Sequence, residues 1–297
     1  MGIALMLLFV LICFIGKDKI IEAWIKAVVF QVLIIYVSLE ILSIFSAVTF
    51  TSLAFLWVTI DFLFVMMLFR KRDSWKGTWH SLISISKRNK IWIFLSVGLS
   101  VLSIWTVPYN WDSMTYHLSR IANWTQNQSI AYYSTNNLRE ISSPVLSEFI
   151  NLHVYILSGN KDFFLNLLQC FSALTNMWLV YEISKKIGCS RKYAYLAAFI
   201  FYTAPSMFGE ALTTQTDQFA TVWLLIFVYY FLDLYTESYK FQYNKETVFN
   251  CLLMGICLVF GYLAKPSVLI GAAVLSFALL IRCIKRKDSV KPHRRNL

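Results

Sequence analysis

The sequence predicts an all-α, polytopic helical membrane protein of about nine spans. Three observations predict it. Of the 297 residues, 58% are hydrophobic and only 14% are charged, where an ordinary soluble domain carries about 25% charged residues. The mean hydropathy is +0.59. The apolar residues also come in long runs, not in alternating or heptad patterns, and a run of about 18 or more with few charges is what a helix needs to cross hydrocarbon.

Nine such segments run along the chain, at 2–16, 23–45, 50–69, 91–107, 163–183, 193–209, 217–235, 248–264 and 267–282. The first, MGIALMLLFVLICFIG, lacks the basic flank and small-residue cleavage site of a signal peptide and reads as a retained short span. The last two are divided by a hairpin at Lys265-Pro266, because one helix over 248–282 would be about 52 Å long, too long for a single crossing. Residues 1–90 form an N-terminal unit of spans ending in a basic loop. Residues 91–297 form a core with a long loop at 108–162 and a basic tail.

The net charge of +11 does not indicate a nucleic-acid partner, because Lys and Arg cluster in short loops between spans. The stretches RKRDSWKGTWHSLISISKRNK (70–90), KKIGCSRK (185–192) and RCIKRKDSVKPHRR (282–295), with Lys240 and Lys245, fall on one side of the nine-span arrangement. The positive-inside rule makes that side cytoplasmic. The loop 108–162, the segment 210–217 and the turn at Lys265 then face outward. Six cysteines, none in a CxxC pair, suggest neither a disulfide framework nor a metal site.

The outer loop opens with PYNWDSMTYHLSR (108–120), which gathers the chemistry. Helical periodicity from Asp112 to Trp124 predicts an interfacial helix, with Met114, Leu118, Ile121 and Ala122 on one face and Asp112, Tyr116, Arg120 and Asn123 on the other. Asp112 is either a helix N-cap or a general base whose pKa rises near low dielectric. Asp217, with Glu210 seven residues earlier, is either a solvated helix end or N-cap, or the second acid of a site. Two converging carboxylates can hold a divalent cation or divide the base and orienting roles. Lys265 breaks the charge pattern: it either snorkels at a helix end or meets a lipid phosphate. Arg120 and Arg139 either bind phosphate or form ion pairs with Glu140 or Glu148. His117 and His153 are weaker candidates. The aromatics around them, Tyr116 among them, form an interfacial belt from which one or two can stack on a sugar.

The stretch WDSMTYHLSRIANWTQNQSIAYYST (111–135), followed by Arg139, Pro144, Glu148 and His153, resembles the first outer loop of bacterial GT-C membrane glycosyltransferases. Those akin to protein O-mannosyltransferases and the aminoarabinose transferase are most similar in pattern. TTQTDQ (213–218) and GYLAKPS (261–267) extend the resemblance over about 91–282. It implies a membrane glycosyltransferase that moves a sugar from a polyprenyl-phosphate donor to an acceptor glycan, lipid or protein of the cell envelope. The reaction would occur at the outer face of the cytoplasmic (inner) membrane.

Under that resemblance Asp112 is the base or acceptor-orienting acid, and Asp217 is a metal ligand or second acid. Arg120, Arg139 and Lys265 neutralise the lipid phosphate, and Tyr116, His117 and Glu148 are further pocket residues. No cofactor is certain; a divalent metal on Asp112 and Asp217 is a candidate. Two departures stand out: Ser119 where the family often has Pro, and Ser113 where it has a second acid. The chain also stops soon after the Lys-Pro turn, which leaves open a truncated, non-catalytic membrane protein. A transporter of lipid-linked sugars is the other alternative, with Glu40 and Asp61 as its acids.

Overall fold

The computed structural model describes residues 1–15, 19–70, 90–237 and 245–289, and these are helical with no strand among them. The helices are α1 (Gly2–Ile15), α2 (Ile20–Ile44), α3 (Phe50–Arg70), α4 (Lys90–Trp105), α5 (Leu118–Asn127), α6 (Arg139–Ser142), α7 (Leu146–Leu157), α8 (Leu167–Lys186), α9 (Arg191–Thr203), α10 (Pro205–Glu210), α11 (Asp217–Glu237), α12 (Lys245–Ala264) and α13 (Val268–Ser289). A π-turn over Ser113–His117 precedes α5. The chain is a helical membrane protein, as its composition indicates. Most of the basic stretch 70–90, with Lys240 and the tail from 290, lies outside the described residues.

All nine expected segments are helical, but length and apolarity qualify four of the described helices as membrane-crossing: Ile20–Ile44, Phe50–Arg70, Asp217–Tyr235 and Thr247–Ala264. The expected segment 193–209 divides at Pro205 into α9 and α10, because proline lacks the N–H that would continue the helix ladder. The segment 163–183 becomes α8, long enough to cross but carrying buried Gln169, Ser172, Thr175 and Asn176.

Of these, Gln169, Thr175 and Asn176 bond to neighbouring helices, where apolar contact alone gives little preference in lipid. Helix α11 lies at the centre, packed on α8, α12 and α13, with Trp223 and Tyr229 fully buried in the main core. Asn176 Nδ2 donates to Gln218 O and Oε1 at 2.8 and 3.0 Å. Gln169 Oε1 accepts the backbone N–H of Gln218 and of Phe219 at 3.0 and 3.2 Å, so α8 supplies the cap of α11. Helices α12 and α13 approach closely at Gly261, where a Cβ would meet Val268 Cγ1 at 2.6 Å.

At the far end of α11, Lys186 Nζ contacts both oxygens of Asp233 at 2.6 Å and lies 3.3 Å from the Tyr229 ring centroid. Tyr229 Oη donates to Glu22 Oε1 at 3.1 Å, which ties in α2. The N-terminal helices pack on the rest through α7, which touches both α2 and α3.

The expected interfacial helix forms with a different phase. A π-turn carries an extra residue, so side chains beyond it rotate relative to a continuous α-helix. Arg120, expected beside Asp112 and Tyr116 on the polar face, is fully buried next to Ile121, while Met114, expected on the apolar face, is 60% exposed. The loop is tied to α2 by Ser43 and Ser129, whose hydroxyls lie 2.8 Å apart, and by the N–H of Ile130, which donates to Ser43 Oγ at 3.0 Å.

Candidate functional site

Three segments far apart in sequence meet at one end of the bundle. The π-turn brings Asp112, Tyr116 and His117. The start of α11 brings Gln215, Thr216 and Asp217. The α12–α13 turn brings Ala264, Lys265 and Pro266. Together with Ser143 and Pro144 they line a cavity of about 240 Å³. Thr214 Oγ1 donates to Ser113 Oγ at 2.5 Å and joins the first two segments. The Gln215 amide, in the orientation that satisfies both neighbours, accepts from Asn110 Nδ2 at 2.9 Å and donates to the Glu210 carboxylate.

Neither candidate acid is consumed by capping. The N–H of Ser113 is taken by Asn110 Oδ1 at 2.8 Å, and Asp112 makes no side-chain cap. Its Oδ1 instead accepts from Arg139 Nη1 at 3.2 Å. Asp217, at the start of α11, is relieved of capping by Gln169 and accepts from Lys265 Nζ at 2.5 Å. Lys265 therefore pairs with an acid at the cavity wall.

The Tyr116 hydroxyl is pushed up to about 12 by burial and then by Asp112 and Glu148, so it remains a neutral donor. Arg139 sits over its ring at 5.9 Å. Glu210 is held above the usual carboxylate range, first by burial and then by Asp217.

Arg120 corrects the expectation that it meets the donor phosphate. Its five N–H donors are all engaged: Nε on Glu140 O, Nη1 on Pro144 O and Glu148 Oε1, and Nη2 on Arg139 O and Ser143 O. The guanidinium is a buried clamp that holds the 139–148 segment against α5, with no donor left for a phosphate. Glu148 accepts from Arg120 and from His117 Nδ1 and is buried behind the cavity wall. Glu140 accepts from Ser119 and Tyr133. His153 is fully buried, its Nδ1 on Phe149 O at 3.1 Å, away from the cavity.

Both acids named as candidate metal ligands are paired with side-chain cations in this arrangement. No group of three or more His, Cys, Asp and Glu among the described residues is arranged to hold a metal. Glu40 and Asp61, the acids of the transport alternative, do not line the cavity. Sequence reasoning missed Gln169, which positions the start of α11. It also missed Asn110 and Gln215, which link the two loops. The one available signal was a row of polar residues, Gln169, Ser172, Thr175 and Asn176, within a segment expected to span.

These features define an all-helical membrane protein with a charged cavity walled by loops and helix ends. The chain matches the dolichyl-phosphate-mannose-protein mannosyltransferase family over residues 142–293, just over half its length. It belongs to that family and is a membrane glycosyltransferase of the GT-C type. The match includes Ser143, Pro144, Asp217 and Lys265 of the cavity; Asp112, Tyr116 and His117 lie upstream of it. No curated protein and no solved structure matches the chain.

Proposed function

We propose that the protein transfers a sugar from a polyprenyl-phosphate donor to an acceptor glycan, lipid or protein at the outer face of the cytoplasmic membrane. The observation that carries this reading is the convergence of Asp112, Asp217 and Lys265, from three separate segments, on one cavity. Lys265, in the cavity wall, and Arg139, outside the wall but paired with Asp112, are the cations for the leaving phosphate, where fixed positive charge lowers the barrier most. Asp112 orients the acceptor hydroxyl or takes its proton, and Asp217 sets the position of Lys265. The outward orientation rests on the charge asymmetry of the loops.

The test is transfer by the purified chain in vesicles supplied with a polyprenyl-phosphate sugar. Asp112→Asn is expected to slow transfer by about 10²-fold or more, the usual contribution of a positioned acid–base group. A wild-type rate in that variant would sink the role given to Asp112.

A further inference from the structure

We propose that His117 is a catalytic base of the transfer reaction, oriented by Glu148; the proposal rests on the transferase reading above. His117 Nδ1 lies 2.6 Å from Glu148 Oε1. That oxygen also accepts from Arg120 Nη1 at 3.1 Å, so the Arg120 cation keeps it an acceptor and Nδ1 carries the hydrogen. The lone pair then resides on Nε2. This nitrogen makes no hydrogen bond among the described residues; the His117 side chain is only 5% exposed, and its free edge is the one left for the cavity that the residue lines. His153 is the contrast within the same loop: its Nε2 is buried and unpaired.

Carboxylate, imidazole and an open Nε2 in sequence form the arrangement by which a histidine accepts a hydroxyl proton and stabilises the charge it gains. The groups around the ring are Glu148 from α7, Arg120 from α5, Tyr116 with ring centroids 4.1 Å apart, and Asp112, Asp217 and Lys265, which share the cavity. The π-turn sets this placement. It sends Asp112, Tyr116 and His117 to one cavity and leaves Arg120 behind the wall, where it fixes Glu148.

In the reaction, the acceptor oxygen forms a bond to the anomeric carbon. The bond from that carbon to the phosphate oxygen breaks, its electron pair leaving on the polyprenyl phosphate. The acceptor proton moves to His117 Nε2, and the resulting imidazolium keeps its Nδ1–H on Glu148. Asp112 then orients the acceptor hydroxyl, and Glu148 and Arg120 are positioning residues.

Diethyl pyrocarbonate labelling of the purified wild-type chain reads Nε2 without any donor. His117 is expected to label, His153 not to label, and polyprenyl phosphate to protect His117. An unlabelled His117 overturns the proposal whatever the transfer assay gives. In donor-supplied vesicles, His117→Ala is expected to lower kcat by about 10²-fold, to leave the donor KM within about threefold, and to flatten the rise of rate with pH; added imidazole should restore activity about tenfold. His117→Gln, which keeps a hydrogen bond to Glu148, is expected to be equally slow. A wild-type rate in either variant, or a loss in His117→Ala that imidazole does not restore, overturns the base assignment. Absence of transfer by the wild-type chain counts against the transferase reading, while the labelling result still decides the geometry of His117.

Discussion

Lys265 Nζ stands 2.5 Å from Asp217 Oδ1, closing the end of α12 onto the start of α11. The two side chains are 42% and 40% exposed, so the pair contributes little to folding, in the range of about 0–1 kcal/mol for solvated ion pairs. Its importance is positional. Lys265→Met should leave thermal unfolding in detergent nearly unchanged while transfer falls about 10²-fold, the usual loss when one preorganised charge is removed. An inactive variant with a large drop in unfolding temperature would instead mark the pair as structural.

The two arginines of the loop should part company. Arg120→Ala leaves Glu148 buried without its cation, a change that costs about 3–5 kcal/mol, so thermal unfolding should show severe destabilisation. Arg139→Ala removes a side chain that is 62% exposed and should alter stability by less than about 1 kcal/mol, while the donor KM rises. Equal effects on stability would contradict the separation of clamp from site.

Gln169→Leu uncaps the first turn of α11. Two backbone N–H groups lose their acceptor, and each unsatisfied buried donor costs about 1–3 kcal/mol. Lower thermal stability together with a lower kcat is expected, since Asp217 lies one residue before Gln218. A variant that unfolds and turns over like the wild type would show that Gln169 does not hold the acid in place.

Glu210 gives the site a pH signature. Burial and the neighbouring Asp217 raise its carboxyl, while Lys265 and Thr213 oppose the shift. The fold therefore favours the neutral acid. That contribution is full below the ordinary carboxylate range and is lost as pH rises through the raised value. Glu210→Gln should stay level where the wild type declines, so the gap in unfolding temperature between them should widen as pH climbs. A gap that narrows over that range would reverse the sign.

Much of this was legible in the sequence, for definable reasons. Long apolar runs have one stable solution in lipid, so the helices at 20–44, 50–70 and 217–237 follow from composition. Asp112, Asp217 and Lys265 stood out because a charge beside a span is costly, and the structure brings the three to one cavity. Arg120 was misplaced because a 100° periodicity presumes an unbroken α-helix, and nothing in SMTYH announces an extra residue in the turn. Pro205 did announce its break, yet the apolar run across it concealed α10. Gln169 was passed over because a polar residue within a span shows its partner only after folding.

Helix α11 is held at both ends by ion pairs to different neighbours, Asp217 to Lys265 after α12 and Asp233 to Lys186 at the end of α8. The two anchors are sixteen residues apart in sequence, about 24 Å along the axis, most of the hydrocarbon thickness. The helix itself is the ruler between them, since the solvated Lys265 pair adds little holding force. It sets the level of Asp217 against Asp233 at the far end, and with it the level at which the cavity stands along the bundle.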